Sequence, residues 1–337
     1  MTGCSPAFRP MGAALLSTIG AAVMDVILHL GAHRTGTTTF QHYMRDHADD
    51  LGQQGTGFWG PWRTRKSVFP GLFPGPAAAN GRKRHAHAQG RVRVLAARAA
   101  DLGLRDLLVS DENMIGTPRA CLRAKILYPA IGERLARVSA AFGGKISRVV
   151  LCVRSPDLWW SSVAAMTVAR GHPIPKPRTF EVISNRQRGW RDVITDLSCA
   201  LPDAHIEVLP FETFAGRPDS LLEAAMGRAA PVDLNALWLN RSPDLPKLRK
   251  VLAAQGADPA QLPEGPGRWH PFTPEQTARL AENYADDLHW LTAGADGLAH
   301  LTEDKIRTRA EKTLPPDQRT RGQAHDSGQG HIKGNMA

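Results

Sequence analysis

The chain has 337 residues, enough for one large α/β domain or two smaller ones. Its 42% hydrophobic and 22% charged content is that of a globular protein whose core needs neither disulfides nor metal. Four cysteines, Cys4, Cys121, Cys152 and Cys199, form no C-x-x-C pair and stand near no histidine pair; this argues against a zinc site or a secreted disulfide framework and fits a reducing cytoplasm. The formal charge of +10 implies an anionic partner or a basic flexible region, with the excess gathered at 63–93 and after Lys305. Neither stretch interleaves aromatic residues as a base-stacking surface does, so no nucleic-acid partner is expected.

Residues 11–24 are mildly apolar but too short to span a bilayer, so no stable membrane insertion is expected. Residues 1–23 read as an ill-ordered extension of a cytoplasmic protein whose fold starts at Met24. Asp25 to Leu30 is a short apolar run ending at Gly31, as in a buried parallel strand. From Thr37, the spacing of Phe40, Tyr43, Met44 and Leu51 predicts a helix. Residues 55–90, rich in Gly, Pro and Arg, read as a basic insertion, either a lid or disordered; a helix is expected over 91–102.

Asp106 to Ser110 reads as a second buried strand, followed by Asp111, Glu112 and Asn113. A helix is predicted over 119–142 and a third strand from Ile146 to Val153. Asp157 is a plausible cap for the helix carrying Trp159 and Trp160. Further helices are expected at 186–201, 220–226 and 273–291, with a fourth strand at 205–209. The polar stretch 313–337 reads as a disordered tail, leaving 24–312 as the domain. Alternating strands and helices predict an α/β fold, a P-loop-type doubly wound and mostly parallel sheet with helices on both faces. Ligands on such sheets bind at the carboxyl ends of strands, and the three segments richest in chemistry (31–38, 110–113 and 154–162) all follow predicted strands.

Gly31-Ala32-His33-Arg34-Thr35-Gly36-Thr37-Thr38 has the two-glycine spacing of a phosphate-binding loop, in which backbone amides converge on an anion at a helix start. Thr37 stands where a nucleotide hydrolase carries lysine, and the cation is instead Arg34, inside the loop. Arg154 at a strand end and Ser162 on the following helix are placed to hold a second phosphate.

Together the two segments resemble the PAPS-dependent sulfotransferase family, PAPS being 3′-phosphoadenosine-5′-phosphosulfate. HLGAHRTGTTTFQ is similar to its 5′-phosphosulfate loop and CVRSPDLWWSS to its 3′-phosphate segment, and VLPFETF at 208–214 and the stretch 272–291 resemble later parts of bacterial members. The resemblance implies PAPS as co-substrate, no metal, and transfer of a sulfuryl group to a hydroxyl or amine of a small molecule or carbohydrate. It places Gly31 to Thr38, Arg154 and Ser162 at the donor. Family members commonly carry lysine where this chain has Arg34, which is expected to clamp the sulfuryl and bridging oxygens. Glu112 is the preferred general base, Asp111 its rival, and His33, which could touch sulfate, a further catalytic candidate; His29, inside a strand, reads as a core histidine. Trp159, Trp160, Phe58, Trp59 and Trp62 could line an acceptor or adenine pocket but read as core, and Asn240-Arg241-Ser242, which could help hold the donor, reads as a surface loop. Two other classes remain open: a small-molecule kinase using Mg-ATP, with Asp111 on magnesium, and a non-catalytic nucleotide or polyanion binder.

Overall fold

The computed structural model describes residues 24–75, 80–232 and 238–303. The expected extension 1–23 and tail 313–337 lie outside the described residues. Six parallel strands form one sheet in the order β2-β3-β1-β4-β5-β6, where β1 is Asp25–Gly31, β2 Thr56–Trp59, β3 Asp106–Ser110, β4 Ile146–Val153, β5 His205–Pro210 and β6 His300–Leu301. The chain thus begins at the centre, leaves for one edge through β2 and β3, and returns past β1 to the other. This is the doubly wound α/β arrangement expected.

The strand sequences are apolar almost throughout because both faces are covered. Val26, Leu28, Leu107, Val109, Val149, Leu151 and Val208 belong to a large core. It is closed by α2 (Gly81–Asp101), α3 (Ile131–Ala141), α4 (Pro156–Ala169), α5 (Trp190–Ala200) and the later helices Leu245–Ala254 and Pro274–Thr292. The alternate residues Ile27, Leu108, Val150, Cys152 and Leu209 face a smaller core under α1 (Thr37–Asp46) and the helix Pro218–Met226. Alternation of period two inside uniformly apolar runs is what a sheet sandwiched between helix layers requires.

Three expectations need correction. Residues 55–90 are not an irregular lid: Thr56–Trp59 pairs with β3 as the edge strand, a short helical stretch covers 61–68, and α2 begins at Gly81. The helix predicted over 119–142 is two helices, Pro118–Ala124 and α3, because Lys125 (φ 56) and Tyr128 (φ 38) take left-handed backbones between them. The helix after β4 is capped by Ser155, with Pro156 at its first position; Asp157 lies in the first turn and accepts a hydrogen bond from the Ser155 hydroxyl. By contrast, the capping box of Thr273 and Gln276 opens the last long helix as its sequence suggests.

Candidate functional site

The loops leaving β1, β3 and β4 surround a cleft of about 420 Å³ at the carboxyl edge of the sheet. At its base lies the glycine loop. Gly31 (φ 69) and Gly36 (φ 84) take left-handed backbones, and a Cβ on Gly31 would meet the Thr37 side chain at 3.1 Å. The Thr35 and Thr37 hydroxyls donate to the Ala32 carbonyl at 2.7 and 3.1 Å, locking the curl. The amides of Gly36, Thr37 and Thr38 donate to nothing among the described residues. Standing at the head of α1, they are the unsatisfied donors that an anion completes.

His33 is fixed from three sides. Its amide donates to the Tyr128 hydroxyl at 3.0 Å, which donates in turn to Nδ1 at 3.0 Å; Nε2–H donates to Asn113 Oδ1 at 3.1 Å. Trp159 Nε1 donates to the His33 carbonyl at 2.7 Å. Burial lowers the ring's pKa against the pull of Glu112, so the imidazole is neutral with both nitrogens engaged. These bonds make His33 a fixed part of the loop wall.

Arg34 departs from expectation. Its backbone is left-handed (φ 67), and its guanidinium donates to Ser162 Oγ at 2.9 Å and Ser242 Oγ at 3.0 Å. It therefore joins Ser162 and Arg154 at the expected second-phosphate position instead of clamping over the glycine loop. Arg154 donates to the Arg34 carbonyl at 3.0 Å and stacks 4.5 Å from the centre of Phe211, while its buried Nε has no partner. Burial first, and neighbouring cations second, push both guanidinium pKa values down to about 10: Arg154, Arg170 and Arg268 act on Arg34, and Arg268 on Arg154, where Glu212 and Asp157 oppose it. Both remain charged at neutral pH. Among the described residues Arg34, Arg154, Arg170, Arg241 and Arg268, all lining the cleft, form no ion pair with a carboxylate.

The wall facing this cluster is neutralised internally. Asp111 is buried, accepting from Thr64 Oγ1 at 2.6 Å, from Arg65 at 2.8 and 3.1 Å, and from the Asn113 amide at 3.0 Å. It caps the turn Glu112–Ile115 and orients Arg65, not Arg34. Glu112 opens onto the cleft, with one oxygen accepting from Arg65 at 2.9 Å and the other from Gln41 Nε2 at 3.1 Å. Burial raises its pKa, but Arg65, its own backbone amide and Gln41 outweigh that, and the net shift is downward; His33, being neutral, adds no charge. Behind it a polar chain enters the sheet: Gln41 Nε2 also donates to Ser110 Oγ at 3.2 Å, and Ser110 donates to His29 Nδ1 at 2.8 Å. His29 is fully buried with its Nε2 unpartnered, and burial depresses its pKa to about 3.

The structure thus brings Gly31 to Thr38, Arg154 and Ser162 together, with Glu112 beside the glycine loop, its Cβ 3.6 Å from where a Gly31 Cβ would stand. Trp59, Trp159 and Trp160 are core, as read from sequence, while Trp62 is half-exposed against Phe58. The cleft's aromatic wall is instead Phe211 and Trp238. The loop Asn240-Arg241-Ser242 is a wall of the cleft and not merely surface: Ser242 shares a 2.5 Å hydrogen bond with Ser162, and Asn240 donates to Thr38 Oγ1 at 3.4 Å. Gln41, Arg65 and Arg268 were not assigned a site role by sequence; only Arg65, in an arginine-rich run, carries even a weak local signal.

Compared with family models, curated proteins and solved structures, the chain matches none. Among the described residues no helix is long and apolar enough to cross a membrane.

Proposed function

We propose that the protein is a sulfotransferase that moves a sulfuryl group from PAPS to a hydroxyl acceptor. The observation that carries this reading is the pairing of two anion cradles in one cleft: amides at the head of α1 and the Arg34, Arg154, Ser162 and Ser242 cluster, which among the described residues have no hydrogen-bond acceptor and no ion-paired carboxylate respectively. An anion bridging them has a phosphate-type group at each end. Phe211 and Trp238, packed edge to face, give a purine ring an aromatic wall to lie against.

In this reading the acceptor oxygen bonds to sulfur, the bond from sulfur to the 5′-phosphate oxygen breaks, and 3′,5′-ADP leaves. The acceptor's proton passes to Glu112, a carboxylate at neutral pH with a lone pair left on each oxygen. Charge develops on the leaving phosphate, where the Gly36 to Thr38 amides and the α1 dipole stabilise it. Arg34 and Arg154 act at the far phosphate, holding the donor in register, and so supply orientation more than charge stabilisation at sulfur.

The Mg-ATP kinase is the weaker reading. Asp111, its metal-holding candidate, already accepts from Thr64, Arg65 and Asn113. Calorimetric titration with 3′,5′-ADP, 5′-AMP and ATP, with and without magnesium, separates the two. Magnesium-independent binding that requires the 3′-phosphate is expected; preference for Mg-ATP would overturn the sulfotransferase reading.

A further inference from the structure

Seven arginines line the cleft, Arg34, Arg65, Arg119, Arg154, Arg170, Arg241 and Arg268, against a single carboxylate, Glu112. Arg65 is committed to Asp111 and Glu112. The other six form no ion pair among the described residues. A donor of the PAPS type carries about four negative charges at neutral pH, which leaves part of this cationic lining unmatched. Arg34, Arg154, Arg241 and Arg268 are grouped with Ser162, Ser242 and Trp238 on the donor side.

Arg119 and Arg170 lie outside that hydrogen-bonded cluster, although Arg170 is close enough to Arg34 to lower its pKa. Arg119 lies in the short helix Pro118–Ala124, which follows the Glu112 turn and packs on α4, and Arg170 caps the carboxyl end of α4. Both are exposed and neither side chain makes a hydrogen bond among the described residues. They share the cleft with Glu112, where an acceptor must present its hydroxyl.

The charge continues outside the cleft. From residue 56 to residue 100 the chain carries nine lysines and arginines and no aspartate or glutamate. This is the segment that delivers Arg65 to Glu112, and it is tied to α2: Arg91 donates to the Val68 and Pro70 carbonyls and the His85 ring to the Leu72 carbonyl. The first turn of α2 holds Arg82, Lys83 and Arg84, all exposed, with no acidic residue. Cations at a helix amino terminus oppose the helix dipole, so local stability does not account for them; a polyanion lying across them does.

We infer that the acceptor is an acidic glycan, with a carboxylate or sulfate group seated by Arg119 and Arg170 and the following sugars lying on the exposed cations of the first turn of α2, Arg82, Lys83 and Arg84. The inference rests on the sulfotransferase reading. A sugar acid offers a hydroxyl and an anionic group on one ring, the pair of features this end of the cleft matches. Nucleic acid fits less well: α2 carries no Phe, Tyr or Trp on which bases could stack.

The test is a titration of the full chain, saturated with 3′,5′-ADP, against a galacturonate hexamer, its fully methyl-esterified form, a sulfated hexasaccharide and a single-stranded oligothymidylate. Expected is binding of an acidic hexamer at least about tenfold tighter than the ester, reduced on the order of tenfold in Arg119→Ala/Arg170→Ala. The Arg82→Ser/Lys83→Ser/Arg84→Ser variant should weaken hexamer binding and leave 3′,5′-ADP affinity unchanged. Equal affinity for the ester, tighter binding of the oligothymidylate, or binding of 3′,5′-ADP with no affinity for either acidic glycan would each overturn the acidic-glycan inference while leaving the donor reading standing. Failure of 3′,5′-ADP itself to bind removes the donor reading, and this inference with it.

Discussion

The two walls of the cleft handle charge in opposite ways. On the donor side Arg34 and Arg154 are buried among other cations and form no ion pair with a carboxylate among the described residues. On the Glu112 side each carboxylate oxygen has a partner, through Arg65, Thr64, Gln41 and the Asn113 amide. Burying unpaired like charges costs stability, so the first wall makes physical sense only with an anion between its arginines. The second is complete by itself, which is what a group waiting to accept a proton needs: fixed position, fixed ionisation, and a face open to the cleft.

The largest expected effect is on the second wall. Glu112→Gln keeps the shape and the Gln41 contact but removes the proton acceptor. Acceptor-dependent release of 3′,5′-ADP from PAPS should fall about 10²–10⁴-fold with donor affinity within about twofold of the parent. Unchanged turnover would take the base role away from Glu112. Next comes the first wall: Arg154→Ala should weaken 3′,5′-ADP binding on the order of 100-fold by calorimetry, because it removes a desolvated charge-assisted contact. If the two walls are as distinct as the geometry makes them, Arg154→Ala acts on binding and Glu112→Gln on turnover. A variant that moved both equally would merge them.

Sequence made the donor wall largely readable, because its parts are local. Gly31, Gly36 and the threonines curl within eight residues, and Arg154 at the end of β4 and Ser162 on the helix that follows are close in sequence. It did not make readable the direction of Arg34, whose left-handed backbone is imposed by the loop. On the Glu112 wall the acids after β3 were readable but their partners were not: Gln41, Arg65, Ser110 and Glu112 come from α1, the stretch after β2, and the end of β3. Only the β2-β3-β1 order of the sheet brings them together. Strand β2 itself was hidden by its length of four residues and by the glycines and prolines beside it.

A smaller effect reports on the floor beneath both walls. His29 is held neutral, its pKa depressed to about 3, and the His33 pKa is lowered too. Unfolding lets both rings recover an ordinary pKa near 6.5, so the unfolded chain binds more protons between that value and the folded ones. Stability should therefore be full above about pH 6.5 and decline as the pH falls below it, with a limiting slope of about 1.4 kcal/mol per pH unit for each histidine. Chemical denaturation from pH 7.5 to 5 measures this. His29→Asn should shallow the decline; an unchanged slope would mean that His29 does not hold the neutral state.

The smallest effect separates holding Glu112 from merely packing beside it. Gln41 donates to Glu112 and to Ser110 from the same nitrogen, and its amide is one of the groups lowering the Glu112 pKa, after Arg65. In Gln41→Leu, similar in volume but without the donor, the Glu112 pKa should rise toward the ordinary carboxylate value. Arg65→Ala should raise it further. Side-chain carboxyl NMR titration of Glu112 reads both without any acceptor. Since a carboxylate of higher pKa is the stronger base but is ionised over a narrower range, the acid limb of the turnover profile should shift upward in the same order. If Gln41→Leu lowers turnover at every pH and leaves the Glu112 titration where it was, Gln41 serves packing alone, and the polar chain from His29 to the cleft ends at Ser110.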